Sequence, residues 1–196
     1  MQLLLASSSP YRRQLLSQLK LPFVYAAPDI DESPQACETP EHYVKRLAII
    51  KAQALRGQFP EHWIIGSDQC CLVNGKITGK PLTIERAIAQ LQASSGQKVR
   101  FLTGLCVLAP DGSWQSIVEE FAVHFRQLTH EEIALYVQAE QPLDCAGSFK
   151  VEGLGIHLFE RLEGRDPNTL IGLPLLALLD MLRAAGFSPL HLIQTH

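Results

Sequence analysis

Leu3-Leu4-Leu5-Ala6-Ser7-Ser8-Ser9-Pro10-Tyr11-Arg12-Arg13 is the stretch whose reading decides how this chain folds. An apolar run gives way to three hydroxyls, a proline and two arginines. The pattern predicts a short buried strand over 3–6, a tight loop, and a helix over 10–20. Ser9 suits the N-cap and Pro10 the first helical position. Such a helix start offers free backbone N–H groups and a partial positive charge, and Ser7, Arg12 and Arg13 add donors that could grip a phosphate. An ordinary strand–loop–helix connection with a good cap explains the same letters, so the rest of the chain has to decide.

Outward from that start, strands and helices alternate. The pattern predicts a second strand over 23–27. A helix capped by Thr39, with Pro40 at its first position, runs to about 57. Ile64-Ile65 reads as a short buried strand closing on Gly66-Ser67-Asp68-Gln69. A separate strand over 70–73 then pairs with 76–78 across Asn74-Gly75, a strong two-residue hairpin signal. Thr83 caps a helix to about 94. Longer strands over 99–108 and 114–125 meet at Pro110-Asp111-Gly112. Thr129 and Glu132 form a capping box. The stretch 149–159 reads as extended, interrupted by Gly153 and Gly155, and a last helix runs from 174 to 186. Alternation with a long hairpin in the middle predicts an α/β protein with a mixed sheet flanked by helices.

The 196 residues suit a single domain over 1–196, with 46% hydrophobic and 19% charged residues. A net charge of −3 implies no broad attraction to nucleic acid, so any phosphate grip must be a local cluster of cations. Five cysteines without C-x-x-C spacing suggest neither a disulfide framework nor a zinc site; reduced thiols in the cytoplasm are the simplest account. The apolar runs are too short for a signal peptide or a membrane span. The final helix is apolar on most sides, which suits burial in the core, the default, or a homodimer contact.

Two carboxylates stand out. Asp68 follows a buried strand and is expected at a strand end facing a crevice, where open α/β sheets place ligands. Glu32 lies beside Asp31 in a Pro-bounded loop. With waters, such groups can hold Mg²⁺ or Mn²⁺ against a polyphosphate, although a turn cap and two solvated acids would look the same. Lys51 shares a helix face with Val44, Leu47, Ala48 and Leu55, so it must snorkel out or meet an anion. Lys80 sits in the Gly79-Lys80-Pro81 turn. Ser7, Arg12, Lys51 and Lys80 thus supply one hydroxyl and three cations, about what a triphosphate needs once a metal takes part of its charge. Cys145-Ala146-Gly147-Ser148-Phe149 and Gly164-Arg165-Asp166-Pro167-Asn168 are turn-rich and could line the same cleft. His124 reads as a surface or sheet-packing residue. Cys70 and Cys71 point to opposite faces of a strand and read as core. The chain has no Walker A loop, G-x-G-x-x-G or G-x-S-x-G.

The segment Leu5 to Arg13, the Asp31-Glu32 loop, Gly66-Ser67-Asp68-Gln69 and Gly79-Lys80-Pro81, in that order, resemble the Maf family of nucleoside-triphosphate pyrophosphatases, and the likeness continues to Gly172-Leu173-Pro174-Leu175. The resemblance implies a cytoplasmic, metal-dependent hydrolase with two lobes around a central cleft, using Mg²⁺ or Mn²⁺. It implies cleavage between the α and β phosphates. Asp68 would be the base that activates water, Glu32 and Asp68 would hold the metal, and Ser7, Arg12, Lys51 and Lys80 would bind and polarise the phosphates. Within the family the chain resembles the branch acting on 7-methyl-GTP, through Gln69, the segment Cys145 to Gly153, and the segment Gly164 to Leu170. Tyr11, Gln69 and Glu152 stand where the UTP and dTTP branch usually has arginine, threonine and glutamine. A methylated guanine carries positive charge, on which Tyr11 can stack and which Glu152 can oppose while accepting from the base edge. Tyr11 stands where the branch often has tryptophan, a stronger stacker. The other readings are a pyrophosphatase for UTP, dTTP or other modified nucleotides, and a nucleotide-binding regulator of cell division with little turnover.

Overall fold

The computed structural model describes residues 2–193. Leu3–Ala6 forms β1, fully buried and flanked on both sides by parallel neighbours, Phe23–Ala26 (β2) and Trp63–Val73 (β3). A strand so placed is covered on both faces, which is why it reads as a continuous apolar run rather than an alternation. Leu3 and Leu5 enter one core cluster and Leu4 and Ala6 another. The sheet has seven strands in the order β2-β1-β3-β5-β6-β7, where β5 is Lys98–Leu108, β6 Trp114–Phe125 and β7 Phe159–Gly164, and β4 (Lys76–Thr78) pairs with β3. β3–β4 and β6–β7 are antiparallel, so the sheet is mixed as expected. No helix among the described residues is long and apolar enough to cross a membrane.

The chain divides into two compact units. The first takes residues up to 69, 103–119 and from 166 onward; the second takes 70–102 and 120–165. In the first unit, helices Pro10–Ser17 (α1) and Leu175–Ala184 (α6) cover one face of the sheet through Leu15, Leu16, Leu178 and Leu182. Helix Pro40–Ala54 (α2) covers the other through Ala48 and Ala52. The final helix is therefore core, the default reading. In the second unit, Ile84–Ser94 (α3) and His130–Glu140 (α4) accompany an aromatic cluster of Phe101, Phe125, Phe149 and Phe159 in edge-to-face contact.

The strand start, the caps at Ser9, Thr39 and Thr83, and the Thr129–Glu132 capping box form as predicted. Asn74 and Gly75 both take positive φ, the requirement of a tight hairpin turn. Three expectations are corrected. α1 ends at Ser17 rather than 20, because the carbonyls of Leu15, Leu16 and Ser17 are taken by tight turns that bring Lys20 to φ 53°. Residues 149–159 are not extended: the Lys150 carbonyl accepts from both Gly153 and Gly155, winding the chain into turns and a 3₁₀ segment, Leu154–Leu158. And 64–65 and 70–73 are one strand, β3, unbroken through Gly66-Ser67-Asp68-Gln69.

The loop before α2 is tied down by charge. Arg46 grips Glu38 with two hydrogen bonds of 2.6 and 2.7 Å, and its Nη2 also donates to Ser33 O. The Arg46 hydrogen bonds, chiefly, hold the Glu38 carboxyl down at about 2, against an ordinary 4.5. A carboxyl depressed on folding adds stability that is complete above its unfolded value and lost as pH falls through the folded one. The stability difference between wild type and Glu38→Gln, followed by urea unfolding, should therefore be constant above pH 5 and shrink between about pH 4.5 and pH 2.

Candidate active site

β3 presents its side chains alternately to two faces. Ile64, Gly66 and Asp68 face α2, while Ile65, Ser67 and Gln69 face the side of α6. Gly66 is what lets α2 come close: a Cβ there would stand 2.0 Å from the Ala48 carbonyl oxygen. One turn on from Ala48 comes Lys51, buried to 6% exposure on the apolar stripe. It does not snorkel out. Its Nζ lies 2.7 Å from Asp68 Oδ1 and 2.9 Å from Glu32 Oε1. Asp68 is itself 7% exposed, so this is a buried ion pair with a more open second carboxylate.

Asp68 was expected at a strand end, and in fact lies inside β3. Yet β1 stops at Ala6, paired with Gly66, so Asp68 stands two residues beyond the carboxyl end of its parallel neighbour. Glu32 reaches Lys51 because its loop is held: Tyr43 Oη donates to Glu32 O at 3.0 Å and Arg46 secures Ser33. Asp31 instead accepts from Ser33 N–H in a local turn, and the Ser33 hydrogen bonds hold its carboxyl below the ordinary value.

Ser7 and Arg12 belong to the same unit. Ser7 is buried, and its Oγ accepts from Ser9 N–H, which fixes the loop before α1. Arg12 donates from Nε to Gly172 O at 2.8 Å, and its Nη1 lies 3.5 Å from Ser7 Oγ. Burial pulls the Arg12 guanidinium below its ordinary value, while the charges of Asp68 and Glu32 pull it back up. Four separate segments thus bring two cations, two carboxylates and a hydroxyl into one electrostatic cluster, the ingredients for holding a polyanion and moving a proton.

A family model of Maf-like proteins matches residues 2–185. The chain belongs to the Maf-like protein family. Its fold is also similar to that of a Ham1 protein from Staphylococcus aureus, at 15% identity and a TM-score of 0.54, covering 94% of this chain and 100% of that one. A HAM1 protein from Coxiella burnetii is similar at 14% identity and a TM-score of 0.50, covering 94% of this chain and 99% of that one.

Elsewhere in this Maf-like chain, Gln69 is tied to the protein. Its Nε2 lies 2.6 Å from Thr169 O, 3.1 Å from Leu170 O and 3.1 Å from Thr103 Oγ1. The Thr103 hydroxyl also donates to Thr169 O. These bonds satisfy the carbonyls of a short helix, Asn168–Ile171 (α5), that the sequence reading missed. Asp166 is equally structural. It is buried, caps Asn168 with one oxygen and meets Leu176 N–H at the start of α6 with the other. Tyr11 lies half-buried in the first turn of α1.

Lys80 and Glu152 are exposed and stand in the second unit. The Lys80 turn is clamped there on both sides: Gln90 Nε2 donates to Gly79 O, and Leu82 N–H to Leu143 O. The Glu152 loop is clamped by α4, where Tyr136 Oη accepts from Lys150 N–H and Glu140 Oε2 from Leu154 N–H. The close approaches at Gly147 and Gly153 serve Cys71 and Glu140 of the protein itself. Cys70 and Cys71 are buried, as read, and burial pushes the Cys71 thiol well up, which removes it as a nucleophile. His124 meets Glu163 at 2.8 Å between β6 and β7, a sheet position as expected.

The donor set fits a divalent cation that is mostly held by water and substrate. No group of three or more His, Cys, Asp or Glu among the described residues is placed to hold a metal ion by itself. Magnesium, however, needs only one or two carboxylates when phosphates supply the rest. Asp68 and Glu32 converge on one ammonium through Oδ1 and Oε1, so each keeps a second oxygen to offer.

Proposed function

We propose that this protein is a nucleoside-triphosphate pyrophosphatase that hydrolyses the α–β phosphoanhydride, with 7-methyl-GTP as its substrate, and so clears modified nucleotides from the cytoplasmic pool. The observation that carries this reading is the buried Lys51–Asp68 pair with Glu32 and Arg12 in its field. Family membership and the structural likeness to Ham1 proteins support it.

Phosphoryl chemistry asks for positioning and charge neutralisation more than covalent help from the protein. Lys51 fixes one oxygen of Asp68, which orients the other to accept a proton from an attacking water. Ser7 and Arg12 bind phosphate oxygens, Arg12 through the nitrogens that Gly172 leaves free. Lys80 is a further phosphate-binding lysine. Asp68 and Glu32 would hold Mg²⁺ or Mn²⁺, which when bound neutralises polyphosphate charge. Tyr11 stacks on the cationic base, Glu152 opposes its charge, and Gln69 keeps a carbonyl oxygen to accept from the base edge.

The test is pyrophosphate release with Mg²⁺ or Mn²⁺ from 7-methyl-GTP, GTP, UTP and dTTP at equal concentration. The expected result is fastest turnover of 7-methyl-GTP. Faster UTP or dTTP turnover would overturn the base assignment, and no release from any of them would favour a nucleotide-binding regulator. Glu152→Gln should lower the preference for 7-methyl-GTP over GTP by about tenfold, the worth of one charged hydrogen bond, without abolishing turnover. An unchanged ratio of kcat/KM values would remove Glu152 from base recognition.

A further inference from the structure

Ser67 precedes Asp68 on β3 and is completely buried. A buried hydroxyl is costly unless it is bonded, and this one is bonded twice. Its Oγ lies 2.9 Å from Gly104 O and 2.9 Å from Gly172 O, so a single proton is shared between two carbonyls. Gly172 O uses its second lone pair for Arg12, whose Nε donates at 2.8 Å. The carbonyl of one glycine is thus held from one side by the residue next to Asp68 and grips the arginine on the other.

Gly172 suits this task for a local reason. It caps α5 at φ 115°, in the region L side chains avoid, and an added Cβ would stand 3.4 Å from Arg12 Nε. The guanidinium therefore packs on the glycine itself. Anchored at Nε, Arg12 loses the swing of a long side chain before any ligand arrives, while its outer nitrogens stay available to an anion.

We infer that Ser67 is a positioning residue for Arg12, acting through the Gly172 carbonyl, so that the strand carrying Asp68 also sets the direction of the arginine. The inference rests on the pyrophosphatase reading for its consequence in turnover, but the relay itself is testable without it. Arg12 grips phosphate in the ground and transition states alike, so losing its anchor weakens binding more than chemistry.

Ser67→Ala should raise KM for the nucleotide by about 3- to 10-fold, the cost of ordering one long side chain, with kcat within about twofold. Affinity for inorganic pyrophosphate, measured by calorimetry, should fall by the same factor. The Arg12 Nε–Hε signal in nitrogen-edited NMR, assigned with Arg12→Lys, should exchange with solvent about tenfold faster. Ser67→Cys, which keeps the connectivity of the side chain but has a bulkier, weaker donor, should fall between wild type and Ser67→Ala. In an Arg12→Gln background, Ser67→Ala should change KM by less than about twofold, since coupled residues are non-additive. An undiminished effect of Ser67→Ala in that background, or unchanged Nε–Hε exchange in the single variant, would overturn the inference. If wild type released no pyrophosphate from any nucleotide, the functional reading would fall, and the Nε–Hε exchange would still decide the relay.

Discussion

Asp68→Asn should cut pyrophosphate release by about 10²- to 10⁴-fold, the usual worth of a positioned general base, while the protein stays folded and still binds nucleotide. Asparagine has the same shape, and its Oδ1 can accept from Lys51 Nζ as Asp68 Oδ1 does at 2.7 Å. Lys51 also keeps Glu32 at 2.9 Å, so its ammonium is not left unpaired. What disappears is the second oxygen's ability to take a proton from water and its share in holding the cation, a share that Glu32 keeps. The loss should therefore fall on kcat, with KM changed little, the signature of an interaction made in the transition state. Single-turnover rates and a thermal melt of the same preparation check it. Turnover within about tenfold of wild type would move the base elsewhere, because a positioned general base typically contributes about 10²-fold or more.

The legible parts of this fold are those whose signal is local. The strand–cap–helix start, the Asn74-Gly75 turn and the Thr129–Glu132 box each carry their cause within a few residues. β3 was misread for the opposite reason. Gly66-Ser67-Asp68-Gln69 looks like a loop because it is polar, yet Ser67 and Asp68 are buried and all three polar side chains find partners far away in sequence. Sequence pattern shows that a polar residue is costly to bury; it does not show a distant partner that removes the cost. The same blindness hid β7, whose Phe-Glu-Arg-Leu-Glu run is an edge strand with charges turned to Lys98 and His124. Lys51 was visible because it breaks an apolar stripe, but nothing local says which anions it meets. Signals for Ser67 and Gln69 do exist in hindsight: they alternate with Asp68, so a strand that buries Asp68 on one face must place them on the other.

Lys51→Met should destabilise the protein by about 3–5 kcal/mol, the cost of removing one partner of a buried ion pair. For a chain of this size that is a fall in melting temperature of about 6–20 °C. Methionine fills the stem of the lysine without strain, so the loss is electrostatic: Asp68, 7% exposed, is left beside Glu32 with no cation between them. Turnover should fall as well, by about 10²-fold or more, because Asp68 loses the bond that orients it. The two losses separate in the double variant. Lys51→Met with Asp68→Asn removes the stranded charge, so urea unfolding should show it more stable than Lys51→Met alone, while its turnover stays at the level of Asp68→Asn. A coupling of about 1 kcal/mol or more between the two sites is expected for groups in direct contact. Simple additivity in stability would mean that Lys51 holds Asp68 no more firmly than a surface lysine holds its neighbour, and the buried pair would lose its place as the centre of the site.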